Sequence, residues 1–170
     1  MIICIGPKGA GKTLLLRKLQ LTDHYNNPYD PIFGTIPTMG VNITYVKTGK
    51  NKNVQINELG GSMAPIWPMH YVGIKGVIFV IDAANLMQIS CACVLLLETL
   101  KHNLLKNVNF LVILNKTDIF CSTQLSEIKT LLRLDDICLH AEQAISVLEC
   151  SCLTGKGLTN VKKWLLLCTI

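Results

Sequence analysis

The residues Gly6-Pro7-Lys8-Gly9-Ala10-Gly11-Lys12-Thr13 match G-x-x-x-x-G-K-[ST], lying between an apolar run and a helix-forming stretch. A pattern of this kind binds phosphate. Glycines let successive backbone N–H groups converge on an anion, and the N-terminus of the following helix adds partial positive charge. Gly9, Ala10 and Gly11 are expected to offer their amides, and Lys12 to reach the β- and γ-phosphates. The Thr13 hydroxyl is expected to ligate Mg²⁺. A second constellation, Asn115-Lys116-Thr117-Asp118, ends a later apolar run. A carboxylate only accepts hydrogen bonds, so Asp118 suits the N1–H and exocyclic amine of guanine. Adenine has no proton on N1 and would leave that carboxylate poorly paired.

The elements that must hold these groups alternate short apolar runs with helical stretches, as in an α/β domain with a largely parallel sheet. Strands are predicted at Ile2–Ile5, Val41–Lys47, Asn53–Leu59, Gly76–Ile81, Phe110–Leu114 and Ala144–Glu149. The segment TGKNK joins the second and third as an antiparallel hairpin. The uninterrupted apolar runs at 76–81 and 110–114 suit central strands covered on both faces. Helices are predicted over Lys12–Leu21, Leu86–Leu105, Ser122–Arg133 and Leu158–Cys168, with long loops at 22–40 and 60–74. Loops of that length inside a small domain usually carry function.

Composition narrows the class. The chain has 170 residues, half of them hydrophobic, with no repeat or linker, and is read as one domain over 1–170. No apolar run reaches the ~18 residues of a spanning helix. Net charge is +5, spread along the chain, and no nucleic-acid partner is expected. Only 16% of residues are charged, against about 25% in an average soluble domain, which points to a surface partly covered by a partner. The eight cysteines form no C-x-x-C pair and mostly sit in apolar runs, so reduced core thiols and a cytoplasmic location are expected. His24, His70, His102 and His140 lack metal-ligand spacing. Ile2 excludes N-myristoylation and Cys168 is misplaced for prenylation, so no intrinsic membrane anchor is expected.

The chain resembles the small GTPases, and among them the ADP-ribosylation-factor-like group. The segment Gly34-Thr-Ile-Pro-Thr-Met-Gly-Val-Asn-Ile43 follows that group's first switch, and five GTPase elements occur in order. The resemblance implies a P-loop small-GTPase fold, with a six-stranded mostly parallel sheet flanked by about five helices. It also implies GTP or GDP with Mg²⁺, effector proteins in the GTP state, and an exchange factor and an activating protein. Thr38 matches the switch threonine that binds Mg²⁺ and meets the γ-phosphate. Glu58-Leu-Gly-Gly61 matches D-x-x-G, placing Glu58 behind the metal and the Gly61 amide at the γ-phosphate. Asn115, Lys116 and Asp118 match the guanine element, and Cys152 lies where a backbone amide touches guanine O6. Trp67 and Tyr71 are similar to aromatic residues of the second switch, or are plain core.

Departures from the family are as informative. Ser62 stands where the family carries its hydrolytic glutamine, so no catalytic residue is assigned. Glu58 replaces aspartate, the stretch from Gly61 to Trp67 is shortened, and Lys8 replaces an acidic residue. Lys8 is either a solvated loop charge or a cation near the phosphates. With the first strand read at Ile2, no counterpart of the family's N-terminal amphipathic helix is expected. The resemblance thus implies a binding switch with slow or absent intrinsic hydrolysis. The alternative is a competent GTPase whose catalytic group comes from an activating partner. A P-loop kinase would leave Thr38 and Asp118 without a purpose.

Overall fold

A computed structural model describes residues 1–21, 36–49, 52–119 and 122–168. Most of the predicted loop at 22–40, with His24, and the hairpin positions 50–51 lie outside the described residues, as does Cys121. Strands β1 (Ile2–Ile5), β2 (Val41–Gly49), β3 (Lys52–Leu59), β4 (Gly76–Asp82), β5 (Asn109–Asn115) and β6 (Ile145–Glu149) form one sheet in the order β2-β3-β1-β4-β5-β6. Only the β2–β3 hairpin is antiparallel. This is the predicted sheet, with boundaries moved by a residue or two.

Alternation along the strands divides the core in two. Ile3 and Ile5 of β1, Val77, Phe79 and Ile81 of β4, and Phe110, Val112 and Leu114 of β5 face one side. There they meet α2 (Leu86–Leu100), α3 (Ser122–Leu131) and α4 (Leu134–His140). Ile2, Cys4, Ile78, Val80, Leu111 and Ile113 face the other side, under α1 (Lys12–Gln20) and α5 (Leu158–Leu167). Every residue of β4 is buried, as expected of a central strand with helices on both faces.

Three predicted elements are corrected. The helix expected over Leu86–Leu105 stops at Leu100, and a separate 3₁₀ turn covers Asn103–Leu105. His102 breaks it with extended backbone, its side chain accepting from the Leu104 amide at 3.3 Å. The helix expected over Ser122–Arg133 ends at Leu131, and α4, not predicted, begins after Arg133 at φ 50°. The loop expected at 60–74 holds a 3₁₀ segment over Gly61–His70, which Pro65 and Pro68 keep from becoming an α-helix. Five α-helices are present among the described residues.

The parallel strands deliver the site. Those of β1, β3, β4, β5 and β6 all point their C-terminal ends to one edge, where Glu58 pairs beside Cys4 and Asp82 beside Asn115. β1 has β3 on one side and β4 on the other, so chain direction across the sheet reverses at its end. That is the position in an open α/β sheet where ligands bind.

Candidate functional site

The loop from Gly6 to Gly11 leaves β1 and enters α1 with Gly6, Gly9 and Gly11 all at positive φ. Gly11 is doubly constrained: its φ is 91°, and a Cβ would overlap the Asn115 side-chain amide. Lys12 is almost fully buried beneath the loop, its ammonium donating to the carbonyls of Gly6 at 2.8 Å and Pro7 at 2.9 Å. Burial pushes its pKa below the ordinary lysine range, while Cys4 and Glu58 act in the opposite direction. A buried cation seated against a Gly-rich turn is suited to an anionic ligand.

Three side chains from distant segments meet beside it. Thr13 Oγ1 lies 3.1 Å from Thr38 Oγ1 and donates to Glu58 Oε1, to which Thr38 also donates at 3.1 Å. Glu58 is itself buried, and Asn42 Nδ2 reaches its other oxygen at 3.4 Å. Two hydroxyls and one carboxylate form an all-oxygen donor set, which fits a hard divalent cation. These groups line one cleft of about 140 Å³ with Lys8, Gly61 and Ser62. Gly61 packs directly on the phosphate loop, where a Cβ would overlap Lys8 N and Pro7 C.

The segment that leads into β2 and the segment that follows β3 are tied together. Gly60 N donates to Gly40 O at 3.2 Å, and the Gly40 amide points at Met63 Sδ at 2.9 Å. Trp67 is buried, donates from Nε1 to Gly60 O at 3.1 Å, and stands edge-on to Phe79. Tyr71 packs edge-on to His102. Both aromatics are core residues, and Trp67 also anchors the segment that follows β3.

The guanine-type residues gather at the ends of β5 and β6. Asn115 is buried and Asp118 is exposed, with Ser151 Oγ donating to Asp118 Oδ1 at 2.5 Å. Thr117 fixes the turn through its hydroxyl to Cys150 O at 3.0 Å. Cys152 is buried beside Asn115, its thiol 3.2 Å from Asn115 Oδ1. The predicted residues thus form two clusters, one around the Gly6–Gly11 loop and one at the ends of β5 and β6, bridged where Asn115 Nδ2 donates to Ala10 O at 2.9 Å.

Asp82 was missing from the sequence-based site. Its buried carboxylate accepts from Lys116 Nζ at 2.6 Å and from the Ala84 amide at 2.9 Å. Lys116 has φ 65°, sparsely populated for a non-glycine residue, and Asp82 supplies the contact that holds it there. Asp82→Asn keeps an acceptor for Ala84 but removes the charged partner of Lys116. Because Lys116 is part-exposed, the expected loss is about 1 kcal/mol of unfolding free energy, read from urea denaturation. An unchanged urea midpoint would show the pair to be energetically idle.

Comparisons with known proteins bear on the family and the fold. The family described as ADP-ribosylation factor matches residues 1–168. The chain is 37% identical to ADP-ribosylation factor-like protein 16 of Homo sapiens over 169 residues, covering 97% of this chain and 84% of that protein. It is 30% identical to ADP-ribosylation factor-like protein 1 of Drosophila melanogaster, covering 96% of this chain and 86% of that one. The structure of the Arl6 BBS3 small GTPase from Trypanosoma brucei, with bound GppNp, aligns with a TM-score of 0.79 at 20% identity. That alignment covers 97% of this chain and 94% of the other, and it shows the shared fold.

Proposed function

The chain belongs to the ADP-ribosylation factor family of small GTPases, and on that premise we propose that it is a GTP/GDP-binding molecular switch with slow intrinsic hydrolysis that recruits effectors in its GTP state. The observation that carries this reading is the meeting of Thr13, Thr38 and Glu58 beside the buried Lys12. Thr13 and Thr38 would ligate Mg²⁺ with Glu58 behind them, and the bound ion would offset phosphate charge. Gly9, Ala10, Gly11 and Lys12 would cradle the phosphates, and the Gly61 amide would meet the terminal one. Asn115, Lys116, Asp118 and the backbone of Cys152 would take the base. The whole of 1–170 acts as one guanine-nucleotide-binding domain in the cytoplasm, its regulators being an exchange factor and an activating protein.

Thr38 lies on the segment that leads into β2, the end strand of the sheet among the described residues, so a contact it makes with ligand can be felt along that strand. Apolar side chains are presented there: Ile36 is 86% and Met39 94% exposed, with Ile43 and Tyr45 following on the outward face of β2. Exposed apolar groups gathered on one edge are characteristic of partner sites. No helix among the described residues is long and apolar enough to cross a membrane.

The test begins with chromatography of the nucleotide that co-purifies, expected to be GDP or GTP. A partner captured on the GppNp-loaded protein should then lose at least about tenfold in affinity for the GDP form and for Thr38→Ala. Equal capture by both nucleotide forms would sink the switch reading while leaving nucleotide binding in place.

A further inference from the structure

Among the described residues, the Asn115 side-chain amide joins the base cluster to the phosphate loop. Asn115 Nδ2 donates to the Ala10 carbonyl at 2.9 Å, and Asn115 Oδ1 accepts from the Cys152 thiol at 3.2 Å. The arrangement is dry: Ala10 is 0%, Asn115 1% and Cys152 3% exposed. An amide fits such a slot in two orientations. The reversed one would set Oδ1 against the Ala10 carbonyl, acceptor to acceptor, and Nδ2 against a sulfur that accepts weakly. The observed orientation satisfies both ends, and it leaves the second Nδ2 proton available to an acceptor on a base.

We propose that the Cys152 side chain is a positioning residue for nucleotide binding: its thiol holds Asn115 Oδ1 and so aims Nδ2 at Ala10 and at the base. This rests on the guanine-nucleotide reading above, and goes beyond it by giving a role to the thiol where that reading uses only the backbone amide of Cys152. Burial pushes the thiol up to about 12, so it keeps its proton, and with it the ability to donate, throughout the neutral range. Without that donor Oδ1 becomes a buried acceptor with no partner among the described residues, a state that favours a reoriented or mobile amide. The amide's contact with Ala10 would loosen with it, so a change in the last recognition loop would reach the phosphate loop without touching phosphate.

The experiment follows release of a fluorescent GDP from the full chain in wild type, Cys152→Ala, Cys152→Ser, Asn115→Ala and the Cys152→Ala/Asn115→Ala double variant. Cys152→Ala should release GDP about three- to tenfold faster, the span expected for one neutral hydrogen bond. Cys152→Ser keeps a donor and should stay within about twofold of wild type. In the Asn115→Ala background the cysteine change should add nothing. A second readout is hydrogen exchange at the Asn115 side-chain amide in ¹⁵N spectra, which should quicken in Cys152→Ala and not in Cys152→Ser. Wild-type release by Cys152→Ala overturns the proposal. Equal acceleration in Ala and Ser assigns the effect to packing and also overturns it, as does an undiminished cysteine effect without Asn115. A wild-type chain that binds no guanine nucleotide overturns the functional reading itself, and this proposal with it.

Discussion

GDP should bind Asp118→Asn about 1–3 kcal/mol more weakly than wild type, the loss expected when a hydrogen-bonded charge is replaced at a ligand contact. Asp118 is exposed at the end of β5, but one of its oxygens is already oriented by Ser151 Oγ at 2.5 Å. A carboxylate aimed in this way presents acceptors only, which the two adjacent donors on the guanine edge require. The asparagine amide replaces one acceptor with a donor, so one contact becomes a clash of like groups. ATP should compete poorly against wild type for the same reason, since adenine lacks a proton on N1. The measurement is competition against a fluorescent guanine nucleotide. ATP displacing it as well as GTP would mean that Asp118 does not read the base. Ser151→Ala should show a smaller defect in the same assay, because it removes the orienting contact and leaves the charge.

How much of this site was readable beforehand depended on the distance between partners along the chain. The phosphate loop and Asn115–Asp118 are local, with the required residues within a few positions of one another, and the structure sets both at strand ends. Asp82 reads only as the polar end of an apolar run, because its meaning comes from lying opposite Asn115 in the β4–β5 register. Asn42 reaches Glu58 for a similar reason: the antiparallel β2–β3 register sets the two directly opposite. The Cys152–Asn115 contact spans 37 positions, and nothing in the composition of either segment announces it. Helix α4 escaped because its seven residues give less than two full turns of periodicity. The left-handed Arg133 that separates it from α3 carries no glycine signal. Trp67 was legible as an aromatic of the second switch or of the core, and its burial sets it in the core, with its bond to Gly60 tying it to the segment that follows β3.

Intrinsic GTP hydrolysis should be very slow, with bound GTP persisting through a single-turnover experiment that GDP exchange would complete. Small GTPases do little covalent chemistry; they position water and stabilise spread charge, and a glutamine ordinarily performs the positioning. Here Ser62 holds that place, exposed at the mouth of the cleft lined by Lys8, Thr38 and Gly61. Its side chain is shorter by one methylene and ends in a hydroxyl in place of the carboxamide, so the proposed phosphate loop and cation ligands are untouched while the water-orienting group is lost. Binding should survive where turnover falls. An activating protein could restore rate through an arginine worth roughly 10³–10⁵, and the exposed mouth leaves room for one. Lys8 is the other cation at that mouth; Gln88 Nε2 fixes its carbonyl at 3.1 Å, while its side chain is exposed. A flexible point charge orients water poorly, so Lys8→Ala should change the rate by less than about twofold. Ser62→Gln should raise it by at least about tenfold if reach alone is missing. Brisk unassisted turnover by wild type would falsify the slow-switch reading, and a marked loss in Lys8→Ala would move the catalytic role to that lysine. A silent Ser62→Gln would locate the defect in the backbone instead. Gly61 is pressed onto Lys8 and Pro7, and Trp67 ties Gly60 to the core, so the first turn of the 3₁₀ segment has little freedom to bring a longer side chain to the water.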